Sequence, residues 1–358
     1  MRNLEKEPFV SIVIVNFNAK KYLNSCLISV LDCDYQNFEA IVIDNGSGDG
    51  SRELIEEISR MNRRVRLISN QANFGPAMAR NQGIEIAKGK YVAFLDNDTR
   101  VHPDWLKEAV KVFESEPKVG ACQCKLILDG TDNMIDCVGE YLGQNGFLVQ
   151  LAISGEEKDE GQFNRVVEIL APKSAGMIAR KDVLDKINGF DNDYFIYMEE
   201  TDLAWRIWLQ GYKVVLIPDS IVYHSSSVTS IVLPEKVNYL AKFHGTKNYI
   251  ATLIKNLEFI NLLKIIPIHI IMWLGIALIF LLKGKPENAK WIILGIAWNF
   301  GNSKSLTQKR KVVQRNRIVK DEEIFPKIIK REQFSYFVDK LKRQMKQKDN
   351  LKIVKNGK

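Results

Sequence analysis

The sequence predicts an α/β fold with a mostly parallel sheet, followed by a helical region of different character. Three observations predict it. Apolar runs of strand length alternate with segments of helical spacing over the first hundred residues, the pattern of linked β-α-β units. Polar clusters stand at the carboxyl ends of these runs, where open parallel sheets bind ligands. Beyond residue 228 the alternation stops, and two apolar stretches precede a basic tail.

Phe9 to Val15 (FVSIVIV) reads as the first buried strand, ending in Asn16, Phe17 and Asn18, with a helix over Tyr22 to Leu31. Phe38 to Ile43 is a second strand, ending in Asp44, Asn45, Gly46 and Ser47 and leading to a helix from Ser51 to about Met61. Val65 to Ser69 supplies a third, Asn73-Phe74-Gly75-Pro76 a turn, and Ala77 to Ala87 a helix. Tyr91 to Leu95 is an unbroken apolar run, as a strand buried on both faces requires, and Asp96, Asn97 and Asp98 follow at once. A helix over Trp105 to Glu114 and a strand over Val119 to Leu128 come next. Asp129 to Gly161, rich in Gly, Asp and Glu, reads as loops and short hairpins, partly mobile over the site. Ser174 to Arg180 heads a strand and Lys181 to Ile187 a helix. Leu203 to Gln210 is helical behind Glu199, Glu200, Thr201 and Asp202; on the plainer reading of that cluster Thr201 and Asp202 are capping residues. Lys213 to Ile217 is a final short strand, and His224 lies beyond it.

Two carboxylates two residues apart at a strand end repel each other, and a hard divalent cation with oxygen ligands removes that repulsion. The plainer reading of Asp96 to Asp98 is a turn held by local backbone hydrogen bonds. Glu199, Glu200 and Asp202 crowd three carboxylates into four positions beside Phe195, Tyr197 and Met198. Desolvation there would lift at least one pKa toward that of a general base; the alternative is acids meeting the positive end of a helix. His224 can be structural or can complete an oxygen-rich metal site. There is no G-x-x-x-x-G-K-[ST], and GSGDGS lacks the spacing of a dinucleotide loop, so a nucleotide would be held through an acid-bound metal. The five cysteines include no C-x-x-C pair, which fits a reducing cytosol. Cys122 and Cys124 share one strand face, as core thiols or as a soft-metal pair. The first twenty residues lack an apolar leader, so the amino-terminal part is expected to stay in the cytosol.

In their order, SIVIVNFN, FEAIVIDNGSGDGS, NFGPAMARNQG, YVAFLDND, SAGMIARKDVLDKINGFD, YFIYMEETDLAWRIWLQGYKV and IPDSIVYH resemble the inverting family 2 glycosyltransferases with the GT-A fold, especially their rhamnosyltransferase-like branch. The resemblance runs from about Pro8 to Ser227. It implies a nucleotide-sugar donor, Mg²⁺ or Mn²⁺, and an acceptor hydroxyl on a glycan or lipid-linked carrier. It would place Asn16 and Asn18 in the nucleotide pocket, Asp44 on the base, Asn45 and Ser47 on the same wall, and Arg80 near the donor. Asp96-Asn97-Asp98 stands as the family's D-x-D, with Asp96 toward the ribose or sugar, Asp98 toward the metal, and His224 as a further ligand. Glu199-Glu200-Thr201-Asp202 falls on the motif that carries the catalytic base. The family commonly has Glu-Asp where this chain has Glu-Glu, a departure that leaves the base open among Glu200, the favoured residue, and its competitors Glu199 and Asp202. A relative that has lost catalysis and a nucleotidyltransferase are the rival readings.

These expectations divide the chain into a catalytic domain at 8–228, an apolar helical region at 229–300 and a basic tail at 301–358. Ile265 to Leu282, between Lys264 and Lys283, holds 18 residues without Asp, Glu, Lys or Arg, the threshold for crossing a bilayer. Pro267 and His269 weaken the spanning case. Trp291 to Phe300 is shorter. A spanning helix, a re-entrant pair, a monotopic hairpin and a helix buried against the catalytic domain or in a dimer are all open. From residue 301 onward 18 Lys or Arg face 6 Asp or Glu, against a net charge of +8 for the whole chain. That excess suits an anionic membrane surface better than nucleic acid, for which no reading motif is present. Phe334, Tyr336 and Phe337 among the basic residues read as part of an amphipathic surface helix. The expectation is an enzyme at the cytoplasmic face of a membrane, its oligomeric state unknown.

Overall fold

Residues 7–225 and 239–330 are described in this computed structural model. Strands β1 (Val10–Asn16), β2 (Phe38–Asp44), β3 (Val65–Ser69) and β4 (Tyr91–Asp96) pair in parallel. Helices α1 (Lys20–Leu31), α2 (Ser51–Met61) and α3 (Pro76–Ile86) connect them. Their alternate residues serve two cores, Ile12 and Ile14 on one face and Val13 on the other. This two-sided burial is why Ile12 to Val15, Ala40 to Ile43 and Tyr91 to Leu95 are apolar without a break. After the short β5 (Thr99–Val101) and α4 (Trp105–Ser115), β6 (Val119–Leu128) continues the sheet.

The segment expected as loops and short hairpins does hold a short hairpin, and where partial mobility was expected it is packed. It forms β7 (Ile135–Cys137) and the β8 (Glu140–Gly143) and β9 (Leu148–Gln150) hairpin, with Ile135, Val138, Leu142 and Leu148 in the core. Its strands of three or four residues are too short to show periodicity. β10 (Val167–Glu168) follows, then β11 (Met177–Arg180), which lies antiparallel between β4 and β6. After α5 (Lys181–Lys186) and α6 (Glu199–Leu209), β12 (Lys213–His224) runs parallel to β6. The expected short strand is therefore twelve residues long; an irregularity between Ile217 and Ile221 absorbs Pro218 and the chain re-pairs as far as His224. Among the described residues the main sheet runs β10-β12-β6-β11-β4-β1-β2-β3.

A π-helical turn (Leu240–His244) opens the carboxyl-terminal helices α7 (Gly245–Asn256), α8 (Phe259–Leu282), α9 (Pro286–Gly301), α10 (Ser303–Asn316) and α11 (Asp321–Ile328). Helix α7 is buried, and it faces α6, α8, α9 and α10. A last strand, β13 (Ile329–Lys330), pairs with β8 and returns the chain to the body. The start of the basic region is thus folded. Arg310 donates to the Ile254 and Leu257 carbonyls, Arg317 pairs with Asp321, and Lys309 pairs with Asp191 and Asp193. Phe334, Tyr336 and Phe337 lie outside the described residues.

Candidate active site at the sheet rim

Register alone assembles the rim, because Asn16 partners Asp44 and Val15 partners Asp96 in adjacent parallel strands. The Asn16 side-chain amide donates to Asp44 Oδ1 at 2.9 Å and to Ser47 Oγ at 3.1 Å, and its oxygen accepts from Asn97 Nδ2 at 2.9 Å. Asn18, at φ 49°, donates its backbone N–H to Ser47 Oγ and accepts from the Gly48 N–H. Asn45 is tied into its own wall, donating to Asn73 Oδ1 and the Gly75 carbonyl and accepting from Asn70 and Phe74. Gly75 has no substitute here: its φ is 84°, and a Cβ would stand 2.5 Å from the Phe195 carbonyl oxygen. The loop after β3 therefore touches the turn before α6.

Asp96, Asp98 and His224 offer ligand atoms that lie within 4.8 Å of one another. His224 arrives from the end of β12, which pairs with β5 just beyond the acidic tip. Its Nε2 is 3.4 Å from Asp98 Oδ1, and its Nδ1 is 2.8 Å from Asp136 Oδ2. A carboxylate on one ring nitrogen orients the other toward a metal, so this donor set fits a divalent cation. Asp136 also accepts from Ser154 Oγ at 2.6 Å and lies 3.7 Å from Lys173 Nζ. Burial works against its charge, but His224 and Lys173 hold the Asp136 carboxyl well below the usual range. Burial likewise opposes charge on His224, yet the hydrogen bonds to Asp136 and Asp98 push it up to about 10. A cation would compete for that nitrogen with the proton. Asp136 and Lys173 were not legible beforehand, since Asp136 sits in the segment read as loops and Lys173 in no acidic or glycine-rich motif.

The second acidic cluster begins at the first residue of α6. Tyr197 and Met198 are both left-handed, at φ 68°, a conformation L-residues adopt only when their surroundings hold it. Asn248 of α7 holds it, donating to the Ile196 carbonyl at 2.9 Å and the Tyr197 carbonyl at 2.7 Å. The chain then turns straight into α6, with Met198 at the cap position and no side-chain cap. Thr201 and Asp202 are helical, and the expectation that they cap the helix is corrected. Asp202 is fully buried, bonded to Arg206 Nε at 2.9 Å, Lys255 Nζ at 2.8 Å and Asn256 Nδ2 at 2.9 Å. It faces α7 and is occupied there, so as a competing base it has no open approach.

Glu199 is buried as well. Burial and the neighbouring Glu200 push its pKa well above the usual range, against the pull of Arg80. Arg80 donates to Glu199 Oε1 at 3.0 Å and to Asp96 Oδ1 at 2.9 Å, with only 4% of its side chain exposed. It is a buried brace between the two acidic clusters, and its bond to Asp96 keeps it beside the strand tip. Burial also raises the Asp96 pKa despite Arg80. Glu200 alone of the three acids is half-exposed, its Oε1 3.4 Å from the Ser174 backbone nitrogen and Oγ. The arrangement offers a metal-type donor set and an accessible carboxylate joined through Arg80. All five cysteines are buried and free, and Cys122 and Cys124 sit in one apolar core cluster.

Residues 11–135 match the family described as "Glycosyl transferase family 2", and residues 91–243 match "Glycosyl transferase family group 2". An uncharacterized glycosyltransferase of Nostoc is 28% identical over 68% of this chain and 67% of its own. Glycosyltransferase GlyG of Streptococcus pneumoniae is 26% identical over 63% of this chain and 73% of its own. Other relatives align over less; the putative glycosyltransferase EpsH of Bacillus subtilis is 31% identical over 36% of this chain and 37% of its own. A mannosyltransferase of Pyrobaculum calidifontis, solved with GDP-Man and Mn²⁺, superposes with a TM-score of 0.52 at 16% identity over 87% of this chain and 86% of that one. GalNAc-T7, solved with UDP, GalNAc and Mn²⁺, gives 0.52 at 19% identity over 68% and 51%. The sheet is that of the GT-A fold.

Proposed function

We infer that this chain, whose residues 11–135 match glycosyl transferase family 2 and 91–243 glycosyl transferase family group 2, moves a sugar from a nucleotide donor to an acceptor hydroxyl with inversion at the anomeric carbon. The observation that carries this reading is the Arg80 bracket, which holds Asp96 and Glu199 on one side chain and so sets a cation site beside an accessible carboxylate. Single displacement needs both.

In the proposed reaction Asn16, Asn18, Asp44, Asn45 and Ser47 shape the nucleotide wall, and Asp98, Asp96 and His224 hold Mg²⁺ or Mn²⁺. When bound, the cation would offset charge on the diphosphate as it leaves. Asn97, buried and bonded to Asn16, fixes the strand tip. Glu200 takes the acceptor proton, the acceptor oxygen forms its bond to the anomeric carbon, and the bond to the diphosphate oxygen breaks on the opposite face. Glu199 keeps Arg80 and α6 in place. Solved neighbours of this fold that hold UDP or GDP-Man with Mn²⁺ support the donor class. The rhamnosyltransferase-like branch, a glycan or lipid-linked acceptor, work at the cytoplasmic membrane face and the 8–228, 229–300, 301–358 division remain parts of the same proposal, resting on motif order and on the apolar and basic segments.

The test is incubation with a panel of nucleotide sugars and Mn²⁺, with and without a lipid-extract acceptor pool. The expected result is release of a nucleoside diphosphate that stops on chelation. Release of pyrophosphate instead would replace this reading with nucleotidyl transfer.

A further inference from the structure

We propose that α8 and α9 form a monotopic hairpin lying in the plane of an anionic lipid surface, and that α8 does not cross the bilayer. The inference deepens the membrane part of the proposed function and rests on that part alone. Helix α8 has 24 residues, so its length of about 36 Å would suffice to span. Its packing argues otherwise. Ile265, His269, Trp273, Ala277 and Phe280 form one buried stripe along the helix. Ile260, Leu263, Ile271, Leu274, Leu278 and Leu282 form an exposed stripe from end to end, with Ile271 67% and Leu282 79% exposed. The helix lies on its side against the protein.

Beneath it, polar groups are set among the apolar Ile250, Ala289, Ile292 and Ile296. His269 Nδ1 is 3.0 Å from the Asn145 carbonyl, and the Trp273 indole N–H donates to His269 Nε2 at 3.0 Å. Asn261 donates to Asp321, and on α9 Asn299 donates to the Lys247 carbonyl. A spanning α8 would carry Asn145, Lys247 and their backbone into hydrocarbon, where irregular backbone and charge are strongly disfavoured. Helix α9 returns beside α8 and adds exposed Ile293, Leu294 and Phe300 to the same apolar hairpin. Lys264, Lys283, Lys285 and Lys290, all exposed, border it, with Glu287 as the exposed acid among them. Apolar side chains flanked by lysines match the chemistry of an anionic interface, which favours lipid over a second copy of the chain.

The full chain would carry a fluorophore on Ile260→Cys, Ile271→Cys or Leu282→Cys and be mixed with preformed vesicles of phosphatidylcholine with or without phosphatidylglycerol. The native cysteines are buried. The expected result is about ten-fold more protein floating with the anionic vesicles, and equal quenching of all three positions by shallow spin-labelled lipid. Ile271→Glu with Leu278→Glu should abolish flotation while leaving the melting temperature, and its shift by nucleoside diphosphate with Mn²⁺, unchanged. Deep quenching at 271 with shallow quenching at 260 and 282 would show a spanning helix and overturn the in-plane arrangement, leaving the membrane reading intact. No flotation with either vesicle would overturn both. A dimer in light scattering that the double substitution converts to a monomer, with no flotation, would assign the face to a second copy.

Discussion

Arg80 commits its guanidinium to carboxylates 16 and 119 positions away, Asp96 on the strand tip and Glu199 on the acid helix. Removing one partner of a buried pair leaves uncompensated charge, at about 3–5 kcal/mol. Arg80→Ala is therefore expected to lower the melting temperature and turnover together, and Arg80→Lys, which lacks the planar fork, to restore neither fully; a stable and active Arg80→Ala would remove the brace from the account. His269 gives a pH prediction. Its two contacts require the neutral ring with the proton on Nδ1, because a proton on Nε2 would face the Trp273 N–H. Burial lowers its pKa to about 4. The unfolded chain then binds the extra proton between about 6.5 and 4, so this contribution is full above that window and is lost as pH falls through it, by about 3 kcal/mol at most. Thermal unfolding from pH 7 to pH 4 should show the loss, and His269→Gln should flatten it. Neither role was legible in the sequence. Arg80 lay in the right motif, but its two partners come from elements that only the folded sheet brings together.

At the scale of elements, the acid helix depends on a helix that the sequence sets apart from the catalytic region. Asn248 of α7 bonds the carbonyls ahead of the left-handed pair Tyr197 and Met198. Asn248→Ala would leave two carbonyls without that donor at about 1–3 kcal/mol. The expected effect is a fall in kcat greater than the change in donor KM, since the acid turn moves while the nucleotide wall on β1 and β2 does not. Glu200→Gln is the complementary case. Glu200 is half-buried and its contacts to Ser174 are long, at 3.4 Å, so stability should hold while turnover falls by about 10² to 10⁴. The parallel strands β1, β2 and β4 were legible because they are buried on both faces and read as largely apolar runs. The β7 to β9 segment was legible as short hairpins but not as core, because strands of three or four residues carry no periodicity and their burial comes from neighbours distant in sequence. For the same reason Asp136 was missed, although it bonds the ring of His224, which the sequence did single out.

For the whole molecule, the carboxyl-terminal helices are structural partners of the active-site half as well as the bearers of its exposed apolar face. Lys255 bridges Asp191 at 2.6 Å and Asp202 at 2.8 Å with 2% of its side chain exposed, and β13 pairs with β8. A chain ended at Ser225 would leave Asp202 buried opposite Arg206 without Lys255 and Asn256. It is expected to be insoluble or to melt well below the full chain, and a stable, active fragment would contradict this. The basic excess after residue 301 looked like a free tail because charge counts do not reveal that Lys309, Arg310 and Arg317 answer carboxylates and carbonyls within the fold. The central claim is that two acidic clusters divide the work, one holding the metal-bound donor and the other taking the acceptor proton. Its most direct measurement is the thermal shift produced by nucleoside diphosphates with Mn²⁺ in three proteins, native, Asp98→Ala and Glu200→Gln, alongside their turnover. The account predicts a metal-dependent shift in the native protein and in Glu200→Gln, none in Asp98→Ala, and turnover in the native protein alone. An undiminished shift in Asp98→Ala, or near-native turnover in Glu200→Gln, would contradict it.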